Sequence, residues 1–180
     1  KVAADLILTA AHCGASAVKF QKRDNATLYT TALLDAPYQN ENSYGDTYGA
    51  HRAALELSPD GLQSLGSTAA RVGIQIFATA FDERSADCCA RLRFPALKLA
   101  SGSLTDLALI RYVATFGVPV MFSTGGGTMD DIDRAVETFG GCPHAILHCT
   151  ASYPLHPVEA NLRVIPTLRE RYPDTVIGWS

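Results

Sequence analysis

The sequence has no Cys-x-x-Cys pair, no Gly-x-Gly-x-x-Gly turn after a strand and no P-loop. It also has no apolar run near the ~20 residues that a membrane helix needs. These absences argue against a zinc ribbon, a dinucleotide-binding sheet, a P-loop nucleotidase and a membrane span. The five cysteines, Cys13, Cys88, Cys89, Cys142 and Cys149, are odd in number and two are adjacent, so free thiols in a reducing compartment are expected. No basic-apolar-small leader opens the chain, and the cytoplasm is the expected location. A formal charge of −3 with interspersed signs provides no basic field, which excludes nucleic acid as an expected partner and confines positive potential to a cleft. Lysine is scarce as well, with Lys1, Lys19, Lys22 and Lys98 against eleven arginines.

What is present is enough for one globular domain: 180 residues, 47% hydrophobic and 18% charged. Apolar spacing predicts helices over 1–13, 58–72, 83–92, 104–116, 129–139 and 159–171. Short apolar runs predict strands over 16–20, 74–78, 96–100, 118–122, 145–149 and 175–179. Ser58-Pro59 reads as an N-cap followed by the first helical position, while residues 22–57 read as a long polar connection containing Tyr29, Tyr38, Tyr44 and Tyr48. Those tyrosines serve either function or the packing of the loop.

Strict alternation of helix with near-continuous apolar strands predicts a parallel sheet. The expected fold class is α/β, a TIM-type (β/α)8 barrel present as about six βα units, with a doubly wound open sheet as the alternative. The first helix has no strand before it, and the expectation is a single barrel domain over residues 1–180 truncated at both ends.

Polar residues recur at the strand C-termini: Lys19 and Gln21; Thr79 and Asp82; Lys98 and Ser101; Ser123 and Thr124; His148 and Thr150; Ser180. In a barrel of this class that end carries the active site, and Lys98 interrupts an otherwise buried run, Ala-Leu-Lys-Leu-Ala-Ser-Gly-Ser. A buried ammonium needs an anionic partner, so two strand-end lysines suggest one anion site; a lysine snorkelling from an edge strand is the plainer reading of either alone. Ser123 to Thr128 contains three glycines before a helix, which suits an anion cradle, a loop capped by Thr128 with Asp130 and Asp131 in the first turn, or both. His148 reads as a base, a metal ligand or, more commonly for such a position, a packed polar residue. Cys149 alternates to the opposite face, which excludes a Cys-His nucleophilic pair, and Asp82-Glu83 read chiefly as helix-dipole partners.

Five motifs in order resemble the sialic acid synthase family: Ala-Val-Lys-Phe-Gln (17–21), Ala-Thr-Ala-Phe-Asp (78–82), Leu-Lys-Leu-Ala-Ser-Gly (97–102), Phe-Ser-Thr-Gly (122–125) and Leu-His-Cys-Thr-Ala-Ser-Tyr-Pro (147–154). The resemblance spans nearly the whole chain and implies the barrel fold. It further implies condensation of phosphoenolpyruvate with N-acetylmannosamine or a related amino sugar. Carried over by motif, Lys19 and Lys98 become catalytic anion-holding residues, joined by Thr79, Ser101, Ser123 and Ser180 on phosphoenolpyruvate, while Gln21 and Tyr153 face the sugar. The resemblance also implies a divalent metal, Mn2+ or Mg2+, with ligands outside these residues, so that His148 is not a ligand. It implies a homodimer at full length and a C-terminal antifreeze-like domain that is not among these residues, which leaves residues 1–180 alone without turnover. Ser103, Ala151 and Thr79-Ala80 depart from patterns common in the family and leave the sugar open. Another phosphoenolpyruvate-dependent aldol-type synthase, or a non-catalytic barrel-derived anion-binding domain, would present the same anion contacts.

Overall fold

The computed structural model describes residues 1–180 as two compact units, Lys1–Phe94 and Pro95–Ser180. In the first unit the order is α1 (Val2–His12), β1 (Ala17–Lys22), α2 (Asn25–Leu28), α3 (Thr31–Leu34), α4 (Tyr48–Leu55), α5 (Pro59–Arg71), β2 (Gln75–Ala80) and α6 (Glu83–Arg91). Strands β1 and β2 run parallel with Gln21 opposite Thr79. Helix α5 begins where expected: Ser58 Oγ accepts a hydrogen bond from the Gly61 N–H at 3.0 Å, and Pro59 occupies the position where a missing N–H costs nothing. Its Leu62, Leu65 and Ala69 recur on one face and are buried, and α1 packs on α5 with Ile7 fully buried.

The second unit carries β3 (Leu97–Leu99), a 3-10 turn over Ser101–Ser103, α7 (Leu107–Ala114), β4 (Val120–Ser123), α8 (Met129–Phe139), β5 (His144–His148), a 3-10 turn over Pro157–Glu159, α9 (Val164–Arg171) and β6 (Val176–Trp179). Here β3 to β6 pair in sequence order, each parallel to the next. Leu97, Leu99, Val120, Phe122 and Ile146 form the strand side of its core, and Ile110, Ile132, Ala135 and Phe139 the helix side. Phe122 stacks on Phe139 with ring centroids 5.2 Å apart, and burying each such aromatic contributes about 1.5–3 kcal/mol.

All six expected strands are present, displaced by a residue or two at their ends. Three expectations need correction. The polar connection is not irregular: it holds α2, α3 and α4, whose starts are set by Asp24, Thr30 and Thr47 accepting from N–H groups three residues on. The helix expected over 104–116 is delayed by the Ser101–Ser103 turn and begins after Asp106, which accepts from the Leu109 N–H. The helix expected from residue 159 likewise begins only after Arg163, because Pro157–Glu159 forms a separate turn. No helix is long and apolar enough to cross a membrane.

Candidate functional site

In the second unit, β3 is buried at every residue, so Lys98 between Leu97 and Leu99 is drawn inside by its neighbours. It is 9% exposed, and its Nζ donates to Ser123 Oγ at 2.6 Å. Ser123 ends β4 and is itself buried. No carboxylate lies within ion-pair distance of Lys98. Burial pushes its pKa down, and the neighbouring Cys149 opposes that shift. An ammonium has three donors, and here one meets a neutral hydroxyl. The remaining capacity suits an anionic ligand, whose charge would offset the desolvation.

Ser101 binds the next loop. Its Oγ accepts from the Gly125 N–H at 3.1 Å, joining the end of β3 to the segment after β4. Glycine makes room for that contact, because a Cβ on residue 125 would lie 2.9 Å from Ser101 Oγ and 3.1 Å from Cys149 Sγ and would force those side chains to shift. The Gly125 amide is therefore committed to Ser101, and the Gly127 amide donates to the Thr124 carbonyl at 3.1 Å. Thr128 and Asp131 close a reciprocal capping box at the start of α8. Of the two readings of the glycine run, the cap is present, while two of the three glycine amides that a cradle would use are internally bonded.

His148 is buried, with Nε2 at 2.8 Å from the Ala160 carbonyl. The His148 carbonyl accepts from the Ser180 N–H at 2.8 Å, which fixes that exposed serine beside the end of β5. Tyr153 is 92% exposed. A cavity of about 520 Å3 opens on Thr124, Gly126, Cys149 and Thr150, with His148 and Asn161 also in its wall.

In the first unit, Lys19 and Gln21 lie on the exposed face of β1, and Thr79, opposite Gln21, is buried at 2% exposure. Lys19 Nζ donates to the Phe20 carbonyl at 3.4 Å. Lys22, on the other face of the strand, pairs with Glu56 at 2.7 Å, and the same carboxylate oxygen accepts from the Arg23 N–H at 3.0 Å. Asp82 is fully engaged: it accepts from the Ser85 N–H at 2.7 Å, the Ser85 hydroxyl at 2.8 Å and the Asp24 N–H at 2.8 Å. A cavity of about 560 Å3 is lined by Lys22, Arg23, Glu56, Arg84 and Arg91 among others. The arginines of the connection, Arg23 and Arg52, carry no sequence motif; the tyrosine-rich run around them is the one signal that pointed to this segment.

No group of three or more His, Cys, Asp or Glu side chains is arranged to hold a metal ion.

A family model described as NeuB family matches residues 6–180. The chain is 34% identical over 183 residues to an N-acetylneuraminate-9-phosphate synthase of Drosophila melanogaster, covering 100% of this chain and 49% of that protein. It is 31% identical over 188 residues to an N,N'-diacetyllegionaminic acid synthase of Legionella pneumophila, covering 100% of this chain and 52% of that protein. The chain therefore spans about half the length of the curated relatives it matches. Among solved structures, an N-acetylneuraminic acid synthetase from Leptospira borgpetersenii superposes with a TM-score of 0.84 at 28% identity, over 98% of this chain and 58% of that one. A truncated 3-deoxy-D-arabino-heptulosonate 7-phosphate synthase from Thermotoga maritima shares the fold, at TM-score 0.64 and 11% identity over 93% of this chain and 54% of that one. The fold class is accordingly the α/β TIM-type barrel, represented by six βα units.

Proposed function

Because the chain belongs to the NeuB family of sialic acid synthases, we propose that the whole protein condenses phosphoenolpyruvate with an N-acetylated amino sugar. N-acetylmannosamine is the model substrate, and the products are a nonulosonate and inorganic phosphate. The observation that carries this reading is Lys98, a buried ammonium at a strand C-terminus whose one hydrogen-bond partner is the Ser123 hydroxyl.

In this proposal Lys98, Ser123 and Ser101, with Lys19, Thr79 and Ser180, receive the carboxylate and phosphate of phosphoenolpyruvate, and Gln21 and Tyr153 face the sugar. The enol carbon attacks the open-chain aldehyde, a C–C bond forms and the aldehyde oxygen takes up a proton. Water then adds at the phosphate-bearing carbon and phosphate leaves. Ammonium groups fixed beside the anionic oxygens hold that charge in place throughout, without reorganisation in the transition state. A divalent cation, Mn2+ or Mg2+, would draw its ligands from outside residues 1–180 and supply polarisation of the aldehyde. The whole protein is further proposed to be a cytoplasmic homodimer.

The test is phosphate release by the whole protein with phosphoenolpyruvate, N-acetylmannosamine and Mn2+, with the product mass read in parallel. Turnover that falls steeply in Lys98→Met supports the reading. Undiminished turnover in that variant, or no consumption of phosphoenolpyruvate with any amino sugar, overturns it.

A further inference from the structure

Two serine hydroxyls of the second unit are held with the same polarity. Ser123 Oγ accepts from Lys98 Nζ at 2.6 Å, and Ser101 Oγ accepts from the Gly125 N–H at 3.1 Å. A hydroxyl has a single proton, and neither an ammonium nor a backbone N–H can accept it, so each serine must donate elsewhere. Neither donates to another group of the chain, although Ser123 is only 1% exposed. Buried hydroxyls are normally spent on a partner, so these two protons point to an acceptor that a ligand supplies. The backbone around the Ser101–Gly125 contact is fixed on both sides. The Leu104 N–H donates to the Ser101 carbonyl, the Thr124 N–H to the Leu147 carbonyl and the Gly127 N–H to the Thr124 carbonyl, each at 3.1 Å.

Three side chains converge on Gly125. The place a Cβ would take lies 2.9 Å from Ser101 Oγ, 3.1 Å from Cys149 Sγ and 3.2 Å from the Ala151 Cβ. Ser101 follows β3, Gly125 follows β4, and Cys149 and Ala151 follow β5, so the ends of three neighbouring strands meet at this one residue. Cys149 lies two positions beyond Leu147, the register partner of Ser123, and strand alternation carries it on the same face as that serine. A side chain at residue 125 would drive the Ser101 oxygen off the amide and free the hydroxyl to rotate. We propose that Gly125 is a positioning residue: its N–H and its missing side chain hold Ser101 as an obligate donor to the anion that Lys98 and Ser123 receive. The contact repeats the Lys98–Ser123 arrangement with a backbone amide in place of the ammonium, and the site then presents donors only, which suits a fully ionised oxyanion. This assignment rests on the synthase reading for the identity of the anion, and on hydrogen-bond polarity and close packing for the positioning.

The experiment uses the whole protein as wild type, Ser101→Ala, Gly125→Ala and the double variant, with thermal melts alongside. Steady-state kinetics with phosphoenolpyruvate and N-acetylmannosamine are measured for each, together with calorimetric binding of phosphoenolpyruvate and of inorganic phosphate. Each single variant should raise the KM for phosphoenolpyruvate about tenfold, the worth of one charge-assisted hydrogen bond, while the KM for N-acetylmannosamine stays within a factor of about two. Because Gly125 acts through Ser101, the double variant should match Ser101→Ala within a factor of about two, whereas independent losses would multiply to about 100-fold. Amide hydrogen exchange provides a readout that does not require Gly125→Ala to fold. In Ser101→Ala the Gly125 amide should exchange about tenfold faster, while the Thr124 amide, bonded to the Leu147 carbonyl, is unchanged. Multiplied losses, unchanged affinity for phosphoenolpyruvate in Ser101→Ala, or unchanged exchange at Gly125 overturns the positioning role and leaves the synthase reading standing. Coupled losses of phosphate binding in a protein that consumes no phosphoenolpyruvate support the positioning role and overturn the synthase reading.

Discussion

Lys22 in the first unit and Lys98 in the second are both strand lysines drawn largely out of solvent, and they differ in what their charge meets. The Lys22 side chain is 13% exposed and pairs with Glu56, itself 18% exposed, at 2.7 Å. Lys98 is 9% exposed and meets only the Ser123 hydroxyl. A matched pair contributes to the fold, because deleting one partner strands the other charge; an unmatched ammonium costs stability and is retained for what binds it. The same division extends to the other strand-end groups. In the first unit Asp82 is fully used in capping α6 and tying down Asp24, whereas in the second unit Lys98 has donor capacity unspent.

The largest expected effect that would break this comparison is on Lys22. Lys22→Met should lower unfolding stability by about 3 kcal/mol, because Glu56 would keep only the Arg23 N–H in a mostly buried setting. Chemical denaturation measures this, and a loss under about 1 kcal/mol would place the Lys22 pair with ordinary surface ion pairs. Next comes Asp82→Ala, which removes the cap of α6 together with the tie to Asp24. A loss of about 2 kcal/mol is expected, with faster amide exchange at Asp24 and Ser85; unchanged exchange there would contradict the tie.

The smallest effect is in the second unit, at the capping box. Thr128→Ala should cost about 1 kcal/mol. Hydrogen bonds from the Thr128 amide and hydroxyl, with Arg134 alongside, hold the Asp131 carboxyl at about 2. Because that folded value lies below the usual carboxylate range near about 4, the stabilisation is present above that range and is lost as pH falls through about 2. Stability measured between those limits should drop more steeply in wild type than in Thr128→Ala, and parallel curves would contradict the linkage.

The sequence made the framework legible wherever periodicity and capping agreed. The six strands, the Ser58-Pro59 start of α5 and the Thr128 cap could all be read from residue pattern alone, because each is decided within a few positions. The helices of the 22–57 connection could not be read, since two of them are four residues long, too short for an apolar period, and rest on caps and an aromatic cluster of Tyr29, Tyr38, Tyr48 and His51. The contrast between lysines was equally hidden. Ala-Val-Lys-Phe-Gln and Ala-Leu-Lys-Leu-Ala look alike, yet Lys19 is exposed and Lys98 buried, because β1 alternates in exposure while β3 is covered on both faces. Coverage depends on neighbouring strands and helices, which a local pattern does not contain. His148 could be read in three roles from its position, and the structure adds that it is buried with Nε2 2.8 Å from the Ala160 carbonyl.

The central claim is that Lys98 is held unmatched in order to receive an anion, and the most direct test is calorimetric binding of phosphoenolpyruvate to the whole protein and its Lys98→Met variant, with a thermal melt of each. The expected result is affinity reduced by about 10- to 100-fold, the loss of one or more charge-assisted hydrogen bonds, together with a melting temperature that is unchanged or higher. Unchanged affinity in a variant that melts lower would show that Lys98 serves the fold and that the anion binds elsewhere.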